Sequence, residues 1–240
     1  MASLYVGGCE RAMRKFGLLL LVTLGGCRSG FRAPEDEVRL PIADRPWNAA
    51  APEEGWCGET SIQMAALHFG AWVPQAEVNR LGKPTTPDLW EQDVPTALDA
   101  LGLRYEVGPR KGPEALLSWT VGALRKGWPV ILGVKLPPSE HPDWDVDHLV
   151  LAVGFTPRGL IINTNVETGQ VVAPWAGLIS VEGGEGMSLI SPAGMTYGYA
   201  VRGFDQPAQP LEVVAEDAEW VSLRKGGQVV RVRATEVSHP

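Results

Sequence analysis

Between Leu40 and Phe204 the apolar positions follow two rhythms, and their order along the chain predicts helices first and strands afterwards. Ile62, Ala65, Ala66 and Phe69 recur at helical spacing, with Gly70 where a helix would stop, so a helix should begin near Cys57 or Gly58. Residues 75–82 predict a short helix, and Asp93-Val94-Pro95 opens another that carries Ala97, Leu98 and Leu101 and ends at Gly102. Leu103, Tyr105 and Val107 alternate as a strand does. Pro113 to Lys126 reads as a helix with Pro at its start and Gly127 after its end. Beyond it the apolar runs shorten to strand length: 129–134 (PVILGV), 148–155 (HLVLAVGF) and, after the turn Thr156-Pro157-Arg158-Gly159, 160–165 (LIINTN). Gln170–Val172 and Tyr197–Phe204 are further strand candidates. Helices followed by antiparallel strands make the α+β pattern. Residues 211–234 look like a hairpin around Gly226-Gly227, joined through the proline-containing segment 206–210. The expected domain is therefore 40–205, with 206–240 as a C-terminal β-hairpin extension.

The N-terminus follows a different logic. Arg14-Lys15 precede the short apolar run Phe16–Leu24, and Gly25-Gly26-Cys27 follow. A positive start, a short apolar core and small residues describe a secretory signal over 1–26, too short for a membrane span. Leu24-Gly25-Gly26-Cys27 resembles the lipobox of bacterial lipoproteins. That resemblance implies acylation of Cys27, export, and anchoring in a lipid bilayer on the periplasmic side or at the cell surface. Residues 27–39 are polar and without periodicity, so they read as a tether.

Composition narrows the function classes. A hydrophobic fraction of 45% and a charged fraction of 20% suit a globular protein, and a net charge of -7 argues against a nucleic-acid partner. Removal of 1–26 would take away Arg11, Arg14 and Lys15 against Glu10, carrying the charge to about -9. It would also remove Cys9, and lipid would consume Cys27, leaving Cys57 as the sole thiol. An exported chain that keeps one unpaired thiol either buries it or uses it.

The stretch GWCGETSIQMAALHFG sets Cys57 where a loop becomes a helix. The positive end of a helix and a nearby imidazolium both favour thiolate, the nucleophilic form. Of four histidines, His239 lies in the tail and His141 in a Pro-rich loop. His68 is eleven residues along the same helix, about 16 Å away at 1.5 Å per residue. His148, opening an apolar strand, remains. A third group should orient the imidazole. Asp147 is adjacent and would face the other side of the strand, whereas Asn163 and Asn165 on the returning strand share a face. The acidic loop with Glu140, Asp143, Asp145 and Asp147 has no Ca²⁺-site spacing and reads as solvated, so neither metal nor cofactor is expected.

Cys-Gly at a helix start, an aromatic-Gly helix end, Asp-His opening a strand that runs to Val-Gly-Phe, and Ile-Asn near a later strand end together resemble the papain-like bacteriocin-processing peptidases. These are the double-glycine leader peptidases and their stand-alone C39-like relatives, and the resemblance covers Leu40 to Phe204. It implies a papain-like fold and a peptide or protein substrate. Cys57 would be nucleophile, His148 general base and acid, and Asn163 or Asn165 the orienting group. Two positions depart from the pattern. The family's oxyanion-hole Gln, six residues before the nucleophile, is Ala51 here, and Asn48 is the nearest amide. The family's Asp-Pro after the Asn is replaced within Asn163-Thr164-Asn165. The expected activity is hydrolysis of a peptide or amide bond through an acyl-enzyme. The alternatives are a silent papain-like binding domain, or a thiol acyltransferase or cell-wall amidase. Cell-wall thiol hydrolases usually carry Asp-Cys-Ser where this chain has Trp56-Cys57-Gly58.

Overall fold

A computed structural model describes residues 30–47, 55–135, 147–166, 169–179, 188–189, 196–205, 211–216, 220–225 and 228–233. The signal segment 1–26, Cys27, Asn48 and the acidic loop 136–146 lie outside them. The first helix, α1 (Cys57–His68), starts where the sequence predicts. Ile62, Met64, Ala65 and Ala66 have no exposed surface, and neither do Glu59, Thr60 and Ser61. A helix buried on so many sides needs small residues where neighbours press close. Gly58 is one: a Cβ there would stand 2.9 Å from Leu149 Cδ1 and 3.1 Å from Leu89 Cβ. The other helices are α2 (Gln75–Gly82), α3 (Val94–Ala100), α4 (Pro113–Arg125) and α5 (Trp175–Ile179).

The strands are β1 (Val38–Arg39), β2 (Leu103–Val107), β3 (Val130–Lys135), β4 (Asp147–Thr156), β5 (Gly159–Asn163), β6 (Gln170–Pro174) and β7 (Gly198–Phe204). They form one antiparallel sheet in the order β2-β7-β3-β4-β5-β6, with β1 on β4. β4 is the long central strand. β3 covers its Asp147–Ala152 half, and β1 takes over at Gly154 and Phe155. Gly154 permits this, since a Cβ there would lie 2.3 Å from the Val38 carbonyl oxygen. The α+β architecture expected from the chain order is the one observed.

Two boundaries differ from expectation. The stretch assigned to a tether is packed on the domain from Phe31 onward. Phe31 packs against Trp175 with ring centroids 5.0 Å apart and the rings tilted, Asp36 pairs with Arg125 at 2.5 Å, and Val38-Arg39 join the sheet. A two-residue strand and one aromatic anchor leave no periodicity to read, which is why a polar composition misled. The C-terminal segment forms three strands, β8 (Leu211–Glu216), β9 (Trp220–Lys225) and β10 (Gln228–Arg233), in a separate antiparallel sheet ordered β10-β9-β8. The expected hairpin is its β9–β10 half.

Candidate active site

Cys57 is the first residue of α1, and Trp56 before it fixes the start of that helix. The Trp56 carbonyl accepts from the Thr60 N–H at 2.9 Å and from Thr60 Oγ1 at 2.7 Å, while its indole N–H donates to the Pro87 carbonyl at 3.1 Å. The thiol meets β4 directly, because the Leu149 N–H donates to Cys57 Sγ at 3.4 Å. The reason lies in the sheet. β5 pairs with β4 only as far as Asn163 opposite Leu151, so among the described residues the edge of β4 at Leu149 has no strand beside it on that side. The start of α1 and the side chain of Asn165 fill the gap. Asn165 Nδ2 faces the carbonyls of Leu149 at 2.9 Å and Cys57 at 3.2 Å, and Ser61 Oγ at 3.2 Å.

His148 is one residue before the amide that touches the sulfur, and it is 4% exposed. Its Nε2 lies 2.9 Å from the Thr164 carbonyl oxygen. A carbonyl only accepts, which assigns the proton to Nε2 and leaves Nδ1 of the neutral ring as an acceptor. The Trp47 ring stands edge-on to the imidazole at 6.2 Å.

The two asparagines are both fully buried, but they do not share a strand face. β5 ends at Asn163, and Asn165 adopts a left-handed φ of 53° that turns the chain off the sheet. Asn163 Nδ2 donates to the Ile42 carbonyl at 3.2 Å and to Met64 Sδ at 3.3 Å, and its Oδ1 accepts from Gln170 Nε2 at 2.7 Å. Among the described residues neither amide hydrogen-bonds His148, and the main-chain carbonyl between them does so instead. The strand, and with it the alternation of faces, ends two residues before Asn165. His68 is engaged elsewhere, on the Gly127 carbonyl at 3.2 Å.

The site is buried, and burial governs its electrostatics. Burial pushes the Cys57 thiol up to about 12; the Leu149 N–H and the Gly58 N–H pull it down, and Glu59 and Asp88 add to the rise. Glu59, which the sequence reading passed over, is a fully buried carboxyl two residues past the thiol. Its Oε1 accepts from Asn79 Nδ2 at 2.7 Å and from the Leu89 N–H at 2.9 Å, while Oε2 has no hydrogen-bond partner among the described residues. Burial raises its pKa to about 7, against the lowering effect of Asn79. The signal was present in the spacing, since Glu59 sits three residues before Ile62 and so on the same helical face. A cavity of about 460 Å³ lined by Asp99, Arg104, Tyr105, Arg202 and Asp205 lies at the β2 edge, three strands from β4. It takes no part in this chemistry.

Among solved structures the chain is similar to a protein described as a C39-like peptidase from Bacillus anthracis. That match has 13% identity and a TM-score of 0.51 and covers 71% of this chain and all of that one. A second similarity is to the peptidase domain of Streptococcus ComA, a bifunctional ABC transporter of a quorum-sensing pathway, at 13% identity and a TM-score of 0.45, covering 67% and 98%. No family model matches the chain, and no curated protein matches it. The fold is that of the papain-like C39 peptidases, helices packed on an antiparallel sheet.

Proposed function

We propose that the chain is a thiol-dependent hydrolase of peptide or other amide bonds. The observation that carries this reading is the meeting of the α1 start with the opening of β4. Cys57 Sγ is held by the amide of residue 149, and the next ring along β4, that of residue 148, has its Nε2–H on the Thr164 carbonyl, which makes Nδ1 the basic nitrogen. A thiol pushed up to about 12 is protonated at neutral pH, so the base must take its proton as attack begins. His148 Nδ1 accepts the proton from Sγ, and the sulfur bonds to the substrate carbonyl carbon. The imidazolium then returns the proton to the leaving amine as the C–N bond breaks. Water, deprotonated by the same nitrogen, releases the acyl group and regenerates the thiol.

The Cys57 N–H, in the first turn of α1, has no intrahelical acceptor and is one donor for the oxyanion. Asn48 is the proposed second donor in place of the missing Gln. Loss of one such donor costs roughly two to three orders of magnitude in rate, so a modest turnover is expected. Acylation of Cys27 would hold the exported domain at a bilayer, with a peptide or protein as substrate. Incorporation of a labelled fatty acid, abolished by Cys27→Ala, tests the anchor. Cleavage of a mixed peptide library, read by mass spectrometry with wild type, Cys57→Ala and His148→Ala, tests the chemistry. Cleavage that survives in Cys57→Ala refutes it.

The silent binding domain has one observation in its favour, the 8% exposure of Cys57. It predicts retention of peptides without cleavage by wild type and Cys57→Ala alike. An acyltransferase or amidase would share the nucleophile, and would differ in forming an amide with an added amine or in cutting a cell-wall amide.

A further inference from the structure

We propose that Asp44 is the positioning residue for His148, acting through the main-chain amide that joins Thr164 to Asn165. This rests on the reading of His148 as the base. The carbonyl that holds His148 Nε2–H at 2.9 Å and the N–H of Asn165 belong to one planar peptide unit. That N–H donates to Asp44 Oδ1 at 3.1 Å and faces Oδ2 at 3.3 Å. The preceding amide, Thr164 N–H, donates to Oδ2 at 3.1 Å. The positive φ of Asn165 belongs to the turn in which these two successive N–H groups converge on one carboxylate, an anion-holding concavity. The Arg45 N–H, at 2.8 Å from Oδ1, holds the carboxylate from its own side.

The result is a chain of three groups, carboxylate, amide and imidazole. A negative charge on the N–H side of an amide polarises it and makes its oxygen a better acceptor, as hydrogen bonds in series do. The Thr164 oxygen thus stabilises the imidazolium more than a lone carbonyl would. When Cys57 gives its proton to Nδ1, the Nε2 proton stays where it is and Asp44 keeps its charge, so no proton moves along the amide. The work a side-chain amide was expected to do is divided here between a backbone carbonyl and a carboxylate from the segment ahead of α1. Burial raises the pKa of Asp44, against the lowering effect of the Asn165, Arg45 and Thr164 amides and of the Thr164 hydroxyl. Among the described residues, ionisable groups on neighbouring elements include Arg45, whose guanidinium lies over the Trp72 ring at 5.1 Å, and Cys57 and Glu59 on α1.

The test is an NMR titration of the full domain, without turnover. Asp44→Asn keeps the shape and removes the charge, and His148 should titrate about one pH unit lower in the folded variant. An unchanged midpoint overturns the proposal. In wild type, the Asn165 amide proton should shift with the midpoint of the imidazole as well as with that of the carboxyl. A resonance blind to the imidazole also overturns it, even should Asp44→Asn fail to fold. Neither readout needs Cys57 to be a nucleophile; failure of the hydrolase reading shows separately, in cleavage that persists in Cys57→Ala.

Discussion

Glu59 gives the sharpest energetic prediction, because a carboxyl with no exposed surface, and with one oxygen unpartnered among the described residues, sits beside the proposed nucleophile. In the fold it keeps its proton to about 7, against 4.5 when unfolded. The folded state therefore binds more protons between those values, so stability is full below about 4.5 and falls as pH rises towards 7. At roughly 1.4 kcal/mol for each tenfold, complete ionisation costs the fold about 3 kcal/mol. Glu59→Gln keeps an acceptor for Asn79 and the Leu89 N–H and removes the charge. In urea titrations it should be more stable than wild type by about 2–3 kcal/mol at pH 8, and equal or slightly weaker at pH 4. Taking the difference at each pH cancels the other titrating groups. A difference that does not change with pH, or a loss at pH 8, would refute the reasoning.

Gly58→Ala should destabilise by about 1–2 kcal/mol in the same assay, the strain against Leu149 and the Leu89 carbonyl exceeding the gain in helix propensity. Asn165→Ala removes the donor to the Leu149 and Cys57 carbonyls and places a β-carbon residue at φ 53°, with an expected loss of about 2–3 kcal/mol. Phe31→Ala should cost about 1–2 kcal/mol by thermal or urea unfolding, since its ring lies on Trp175, whereas a free tether would show no change.

Much of the fold was legible because burial wrote it into spacing. The strands around β4 are short unbroken apolar runs, and α1 carries Ile62, Ala65 and Ala66 at helical intervals ahead of Gly70. Cys57 was legible as a helix start, and His148 as the one histidine heading a buried strand. The orienting group was not. A backbone carbonyl has no residue type, so nothing in Asn163-Thr164-Asn165 announces that the middle residue's main chain serves the imidazole. Asp44 stood far from the motif, and its partners are amides, which carry no sequence signal. The packing of 31–39 escaped for a related reason: a single ring and two paired residues hold a segment whose composition is that of solvent-facing chain.

The central claim is that the imidazole at 148 takes the proton of a thiol that burial keeps protonated. Alkylation of Cys57 by iodoacetamide across pH 5–10, on native wild type and His148→Ala, tests it most directly. Wild type should react at neutral pH with an inflection that His148→Ala lacks, and His148→Ala should be about a hundredfold slower at pH 7.5, rising only in strong alkali. Equal rates in the two proteins, or a wild-type thiol inert until the fold is lost, would contradict it.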